Sequence, residues 1–230
     1  MRGAILLDDR LKAAYEMVRP GAVVADIGTD HANLICALAR SGRCPRGYAC
    51  DVNAAPLARA AQNIAAQGLS DRITTVLGDG LTGLDSRDVT DILILGMGGE
   101  LIGEIIGAVP WSRDARLRFI VQPMTKAERL RQSLYREGFE IERETAAASG
   151  RFIYSVMQCA YTGIKREIDA LFAWTGLLWY NNDAVSRAYL ARVAARLRKK
   201  ADGLSASGSR TDEAKIYHDL SHCINEHSSK

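Results

Sequence analysis

Five short apolar runs, at 22–27, 47–50, 73–77, 91–95 and 117–121, alternate with stretches of helical apolar spacing at 32–41, 54–67, 99–108 and 126–137. Strands that are apolar throughout need cover on both faces, and the intervening helices supply it. The pattern therefore predicts an α/β fold with a parallel sheet between two helical layers. Ahead of it, 8–18 reads as a short amphipathic helix with Asp8 as N-cap, ended by Pro20-Gly21. After Gly138 the rhythm changes. Residues 139–145 and 151–161 read as two strands joined by a short turn, an edge hairpin with an antiparallel last strand. The remainder reads as helical. Residues 164–180 place Ile164, Ile168, Leu171, Phe172, Leu178 and Trp179 on one stripe, and 183–201 place Tyr189, Leu190, Val193 and Leu197 at helical spacing. Gly203 to Ser209 reads as a flexible connector, and a helix from Thr211 carries Ile216, Leu220 and Cys223 or Ile224 on its apolar face. The expected organisation is an α/β domain over 1–162 and a helical, coiled-coil-like domain over 163–230.

In open sheets of this kind ligands bind beyond the carboxyl ends of the strands, so the turns there carry the chemistry. The first turn is Asp26-Ile27-Gly28-Thr29-Asp30-His31-Ala32. Only Gly28 survives of the glycines that a dinucleotide fingerprint would show, and Asp30 and Ala32 stand at the other two positions. A carboxylate at Asp30 would repel a pyrophosphate and suit a cofactor with cations and no phosphate, such as S-adenosylmethionine. Asp51, 25 residues after Asp26, ends the second run. An acid there accepts from ribose hydroxyls, or else caps the helix that follows. Gly78-Asp79-Gly80 ends the third run; its carboxylate can accept from an adenine amino group, although Asp-Gly also makes a plain turn. Gly96-Met97-Gly98-Gly99 follows the fourth run and admits close ligand approach or tight helix–strand packing. Gln122-Pro123 ends the fifth, where an amide reads a base edge or the pair simply terminates the strand. His31 is a candidate base, more often a structural role for a lone histidine.

Arg187, Arg192, Arg196, Arg198, Lys199 and Lys200 fall within one 14-residue stretch without an acid. The net charge of +3 resides entirely in residues 161–230, since 1–160 are balanced. Such a run is usually a solvated face, but Arg192, Arg196 and Lys199 or Lys200 share a helical side that can track a phosphate backbone. His218, His222, Cys223 and His227 have spacing that zinc tolerates, but no matching ligands accompany them, and no metal is expected. The five cysteines form no CxxC pair and point to free thiols in a reducing compartment. No apolar run approaches the roughly 20 residues that span a bilayer, and Asp8 and Asp9 interrupt the N-terminus early. A cytoplasmic protein without membrane association is expected.

These motifs together carry a resemblance. Ala25 to Ala32, Gly78-Asp79-Gly80-Leu81, Gly96-Met97-Gly98-Gly99, Gln122-Pro123 and Gly150-Arg151-Phe152-Ile153-Tyr154, in this order and at strand ends, resemble the bacterial tRNA (adenine-22-N1)-methyltransferases over nearly the whole chain. Asn33 and Ile35 stand where an aromatic and a proline are expected, and the C-terminal region diverges. The resemblance implies a Rossmann-like class I methyltransferase with a mostly parallel seven-stranded sheet, its last strand antiparallel, plus the helical domain. It implies S-adenosylmethionine as cofactor, held by Asp26, Gly28, Thr29, Asp30, His31, Asp51, Val52, Asp79, Gly80, Gly96, Met97 and Gly98. It implies methyl transfer to N1 of an adenine in the tRNA D-arm, with Asp30, His31, Gln122 and Tyr154 nearest the chemistry. Tyr154, Phe152 or Trp111 would stack on the freed base. The basic residues 187–200 named above would bind RNA. A small-molecule or other RNA methyltransferase, a non-catalytic binding module and a nicotinamide-dependent oxidoreductase are the competing readings.

Overall fold

The computed structural model describes residues 5–206 and 211–229. Seven strands, β1 (Val23–Ile27), β2 (Arg46–Asp51), β3 (Ile73–Leu77), β4 (Asp91–Gly98), β5 (Arg118–Thr125), β6 (Phe139–Ser149) and β7 (Phe152–Tyr161), form one sheet in the order β3-β2-β1-β4-β5-β7-β6. All pairings are parallel except those of β7, which runs antiparallel to both neighbours. The sheet is the expected one. Alternate residues on the central strands serve two cores. Ile92, Ile94, Phe119 and Val121 face α4 (Gly99–Gly107) and α5 (Ala127–Arg136). Val24, Leu93 and Ile120 face α1 (Asp9–Met17), α2 (Asn33–Arg40) and α3 (Ala54–Gln67). Asp8 does cap α1, its carboxylate accepting from the Leu11 N–H at 2.8 Å.

The C-terminal third departs from expectation in three places. Residues 164–180 do not form one helix: α6 spans only Ala170–Thr175, capped by Asp169, and a 3₁₀ turn follows over Gly176–Tyr180. Gly176 breaks the helix by adopting φ +58°, and the Leu177 N–H is diverted to the Glu144 carboxylate at 2.7 Å. Next, α7 runs Ala184–Ala206, continuing through Gly203 and Leu204 where a connector was expected; the rest of that connector, 207–210, lies outside the described residues. Finally, α8 (Thr211–Ser228) buries Ala214, Ser221 and Ile224, whereas Ile216 is 54% exposed and Cys223 faces outward. Of the expected face, Leu220 and Ile224 do pack against α7, joined by Ser221, whose hydroxyl donates to Ala194 O at 2.9 Å. Leu190, Val193, Leu197 and Ile224 build a third core, against which Ala146 and Ile153 of the β6–β7 hairpin pack.

Candidate active site

The strand order reverses between β1 and β4, and the turns after these strands make a crevice. The turn after β1 is tied down. Gly28 N and Thr29 N both donate to Cys50 O, at 2.8 and 3.0 Å, which fastens the turn to β2. Gly28 has φ +74°, and a Cβ there would lie 2.1 Å from the Met97 methyl. The positive φ favours glycine, and a side chain there would also have to displace the Met97 methyl. Asn63 of α3 donates to His31 O at 2.6 Å and holds the far side of the turn, where Ala32 adopts φ +53° ahead of α2.

Asp26, Gly28, Thr29, Asp30, His31 and Gly96 line one cavity of about 260 Å³, together with Arg10, Leu11 and the uncapped start of α2. Asp51 and Val52 follow Cys50 at the end of the neighbouring strand β2, and Asp79 and Gly80 follow the end of β3; none of them lines this cavity. Asp51 Oδ1 accepts from Asn53 N at 2.7 Å, which closes the turn ahead of α3 without capping the helix, whose N-cap is Asn53, and Oδ2 makes no hydrogen bond among the described residues. Val52 is 61% exposed, an apolar side chain left open beside that carboxylate.

Three assignments change in character. Asp30 is exposed and paired with Arg59 and His31, and the Arg59 hydrogen bonds hold its carboxyl below the usual range. Its charge is answered from outside the cavity, so repulsion of a pyrophosphate does not follow from it. Gln122 is fully buried: its Oε1 accepts from Arg10 Nη1 at 2.7 Å and Gly96 N at 3.1 Å, and Nε2 donates to Pro123 O at 3.0 Å. With both ends engaged it braces the Gly96 turn and has no group to offer a base. Gly99, at the same turn, is a packing position, since a Cβ would come within 2.4 Å of Lys126 O.

Arg10 was not anticipated. Its Nη1 is fixed by Gln122, its Nε lies 3.6 Å from Asp8, and Nη2 has no partner among the described residues. Its only sequence signal is a cation on a capped amphipathic helix; the contact that places it spans 112 residues.

Asp26 is the inward-facing acid. Burial pushes its carboxyl up to about 6, against the hydrogen bond from Thr29 Oγ1 at 2.8 Å. An acid raised from 3.8 in the unfolded chain costs stability once ionised. The penalty is absent below pH 4, grows as pH rises, and is complete above 6. The shift corresponds to about 3 kcal/mol. Urea titrations of the ligand-free protein and of Asp26→Asn should therefore diverge by about that amount between pH 4 and 7, the variant gaining relative to wild type. Parallel curves would deny the burial of this charge.

Of the other expected residues, Tyr154 lines a separate groove beside β5 with Arg192 and Arg196. Arg198 and Lys199 line a different cleft with Ser221, Arg187 donates to Asn182 O, and Lys200 lies over the Tyr217 ring. Trp111 sits in a 3₁₀ turn ahead of β5, at the opposite end of the sheet from the crevice. His227 stacks on Trp179 at 3.7 Å and bonds its carbonyl. Among the described residues no cluster of three metal-binding side chains occurs, and no helix is long and apolar enough to cross a membrane.

The methyltransferase-domain family matches residues 7–157. The tRNA (adenine(22)-N(1))-methyltransferase of Bacillus subtilis (strain 168) is 32% identical over 166 residues, covering 69% of this chain and 70% of the relative. The crystal structure of Streptococcus pneumoniae Sp1610 in complex with S-adenosyl-L-methionine superposes with a TM-score of 0.80 at 26% identity, over 97% of this chain and 100% of the other. The B. subtilis M1A22 tRNA methyltransferase structure shares the fold, with a TM-score of 0.82 at 24% identity over 98% of each chain.

Proposed function

The chain belongs to the tRNA (adenine(22)-N(1))-methyltransferase family, and from that premise we propose how its residues divide the work. The protein transfers a methyl group from S-adenosylmethionine to N1 of adenine 22 in tRNA. The observation that carries the reading is the convergence of Asp26, Gly28, Gly96 and Arg10 on one cavity at the sheet's reversal point, with Asp51 ending the neighbouring strand β2.

The charge pattern fits the cofactor. Its ammonium and sulfonium meet a buried acid, its ribose meets the open oxygen of Asp51, and its α-carboxylate meets Arg10 Nη2 and the free N–H groups at the start of α2. When bound, S-adenosylmethionine supplies a sulfonium-activated methyl for displacement by the adenine N1 lone pair, the positive charge ending on the methylated ring. Adenine N1 is neutral and unprotonated at pH 7, so no general base is needed. His31, exposed and paired with Asp30, is not required as one. The chain's task is alignment. Gly28 and Gly96 let backbone approach the reacting groups, Gln122 braces the Gly96 turn, Arg10 would grip the methionyl end of the cofactor and Asp51 its ribose. We read 1–162 as the methyl-transfer unit and 163–230 as the helical unit that receives RNA. A cytoplasmic location suits both the tRNA substrate and five unpaired cysteines.

Arg10 gives a chemical test. Calorimetry should show Arg10→Ala weakening S-adenosylhomocysteine about tenfold, the value of one charge-assisted contact. Binding of the decarboxylated analogue, which lacks the anion, should be the same in both proteins. Equal losses for the two ligands would assign Arg10 to bracing Gln122 alone.

A further inference from the structure

We propose that the groove between the β5–α5 turn, the start of β7 and α7 holds the target adenosine extruded from the tRNA. Its base would lie against Phe152 and its flanking phosphates on Arg192 and Arg196. The proposal rests on the tRNA-methyltransferase reading and locates a subsite that reading leaves open.

Position comes first. Met97 pairs with Pro123 and Gly98 with Thr125, so the groove begins one strand spacing, about 4.8 Å, from the Gly96 turn. Gln122 ties the two together, accepting from Gly96 N of the cavity lining and donating to the carbonyl of Pro123, which lines the groove. A base seated in the groove therefore lies next to the Gly96 turn.

Composition comes second. Phe152 is 48% and Met124 44% exposed, two large apolar side chains left open in the groove lining. The Phe152 and Tyr154 rings are 6.1 Å apart, and the Tyr154 hydroxyl makes no hydrogen bond among the described residues. The Arg151 guanidinium lies 5.0 Å over the Phe152 ring, and its carbonyl accepts from Arg192 Nη1 at 2.7 Å. Arg196 is steadied 5.1 Å over Trp174. No acid lines the groove, although acids and bases mix elsewhere on this surface. Open aromatic faces beside uncompensated arginines fit an unstacked nucleotide, which offers a π-face and phosphates together. With a volume of about 220 Å³ the groove has room for a base and none for a duplex. Extrusion is also what the chemistry demands, because N1 lies on the edge that pairing would occupy. The cleft at Arg198 and Lys199 lies apart from this path and is assigned no part in gripping the target nucleotide.

The test uses the full-length protein with S-adenosylhomocysteine and a tRNA carrying 8-azidoadenosine at the methylated position. Photolysis should place adducts on 123–127 or 152–155; adducts confined to any other segment overturn the proposal. In parallel, Phe152→Ala should slow single-turnover methylation at saturating tRNA about tenfold or more, the stacking contribution of one base. Its affinity for S-adenosylhomocysteine should be unchanged, and Phe152→Tyr should restore the rate. A Phe152→Ala protein that methylates at the wild-type rate overturns the subsite and leaves the activity standing. A wild-type protein that methylates no tRNA overturns the reading beneath it.

Discussion

Replacing Glu144 with alanine is expected to cost the fold about 3–5 kcal/mol, because it strands a buried guanidinium. Glu144 on β6 and Arg131 on α5 are both inaccessible at the side chain, paired at 2.5 Å. The same carboxylate accepts from Ser155 Oγ at 2.5 Å and from Leu177 N at 2.7 Å, while Arg131 Nη1 donates to Ala173 O at 2.7 Å. One ion pair thus gathers α5, β6, β7, α6 and the 3₁₀ turn at the seam between sheet and helices. Gly176 completes it, since a Cβ there would stand 2.1 Å from Glu144 Oε2. Thermal unfolding should show Glu144→Ala melting roughly 10 °C or more below wild type. The double variant Arg131→Met/Glu144→Leu should recover most of the loss, since a matched apolar pair removes both desolvated charges. A single variant that melts with wild type would mean that the pair contributes no cohesion at this seam.

Asp51→Ala is expected to raise the dissociation constant for S-adenosylhomocysteine about a hundredfold. Two ribose hydroxyls donating to one carboxylate contribute about 1.5 kcal/mol or more each, and both contacts vanish together. Asp51 is 8% exposed, and a carboxylate has lone pairs beyond the one that Asn53 N uses. Losing the Asn53 contact alone should cost stability only about 1 kcal/mol. Cofactor affinity and ligand-free melting temperature therefore separate the two functions of this side chain. A large fall in melting temperature with unchanged affinity would make Asp51 a turn residue and nothing more.

Much of the sheet was legible because its strands are short, apolar and punctuated, and each strand end carries its own turn signal. Gly28, Asp51 and Gly96 could be found from these ends alone. What escaped has a common physical origin in long-range contacts. Arg10 looks like any surface cation until Gln122, far along the chain, turns it toward the cavity. Asp30 lines the cavity, but its partner Arg59 of α3 lies 29 residues on and is invisible in the turn itself. The stripe from Ile164 to Trp179 has helical spacing, yet Ile164 is exposed and the segment before α6 is not helical. At the other end of α6 the buried Glu144 carboxylate takes the Leu177 N–H and overrides local periodicity. The six cations at 187–200 share one helix, but Arg192 and Arg196 line the groove beside β5, Arg198 and Lys199 line a cleft on the helical hairpin, and Arg187 and Lys200 line neither.

The most direct test of the account is to incubate the protein with S-adenosylmethionine and an unmodified tRNA bearing adenine at position 22, then digest and map the product by mass spectrometry. The account predicts 1-methyladenosine at that position, with no methyl incorporated when position 22 is guanine. Methylation at another position, methylation of the exocyclic amine, or no transfer at all would contradict it.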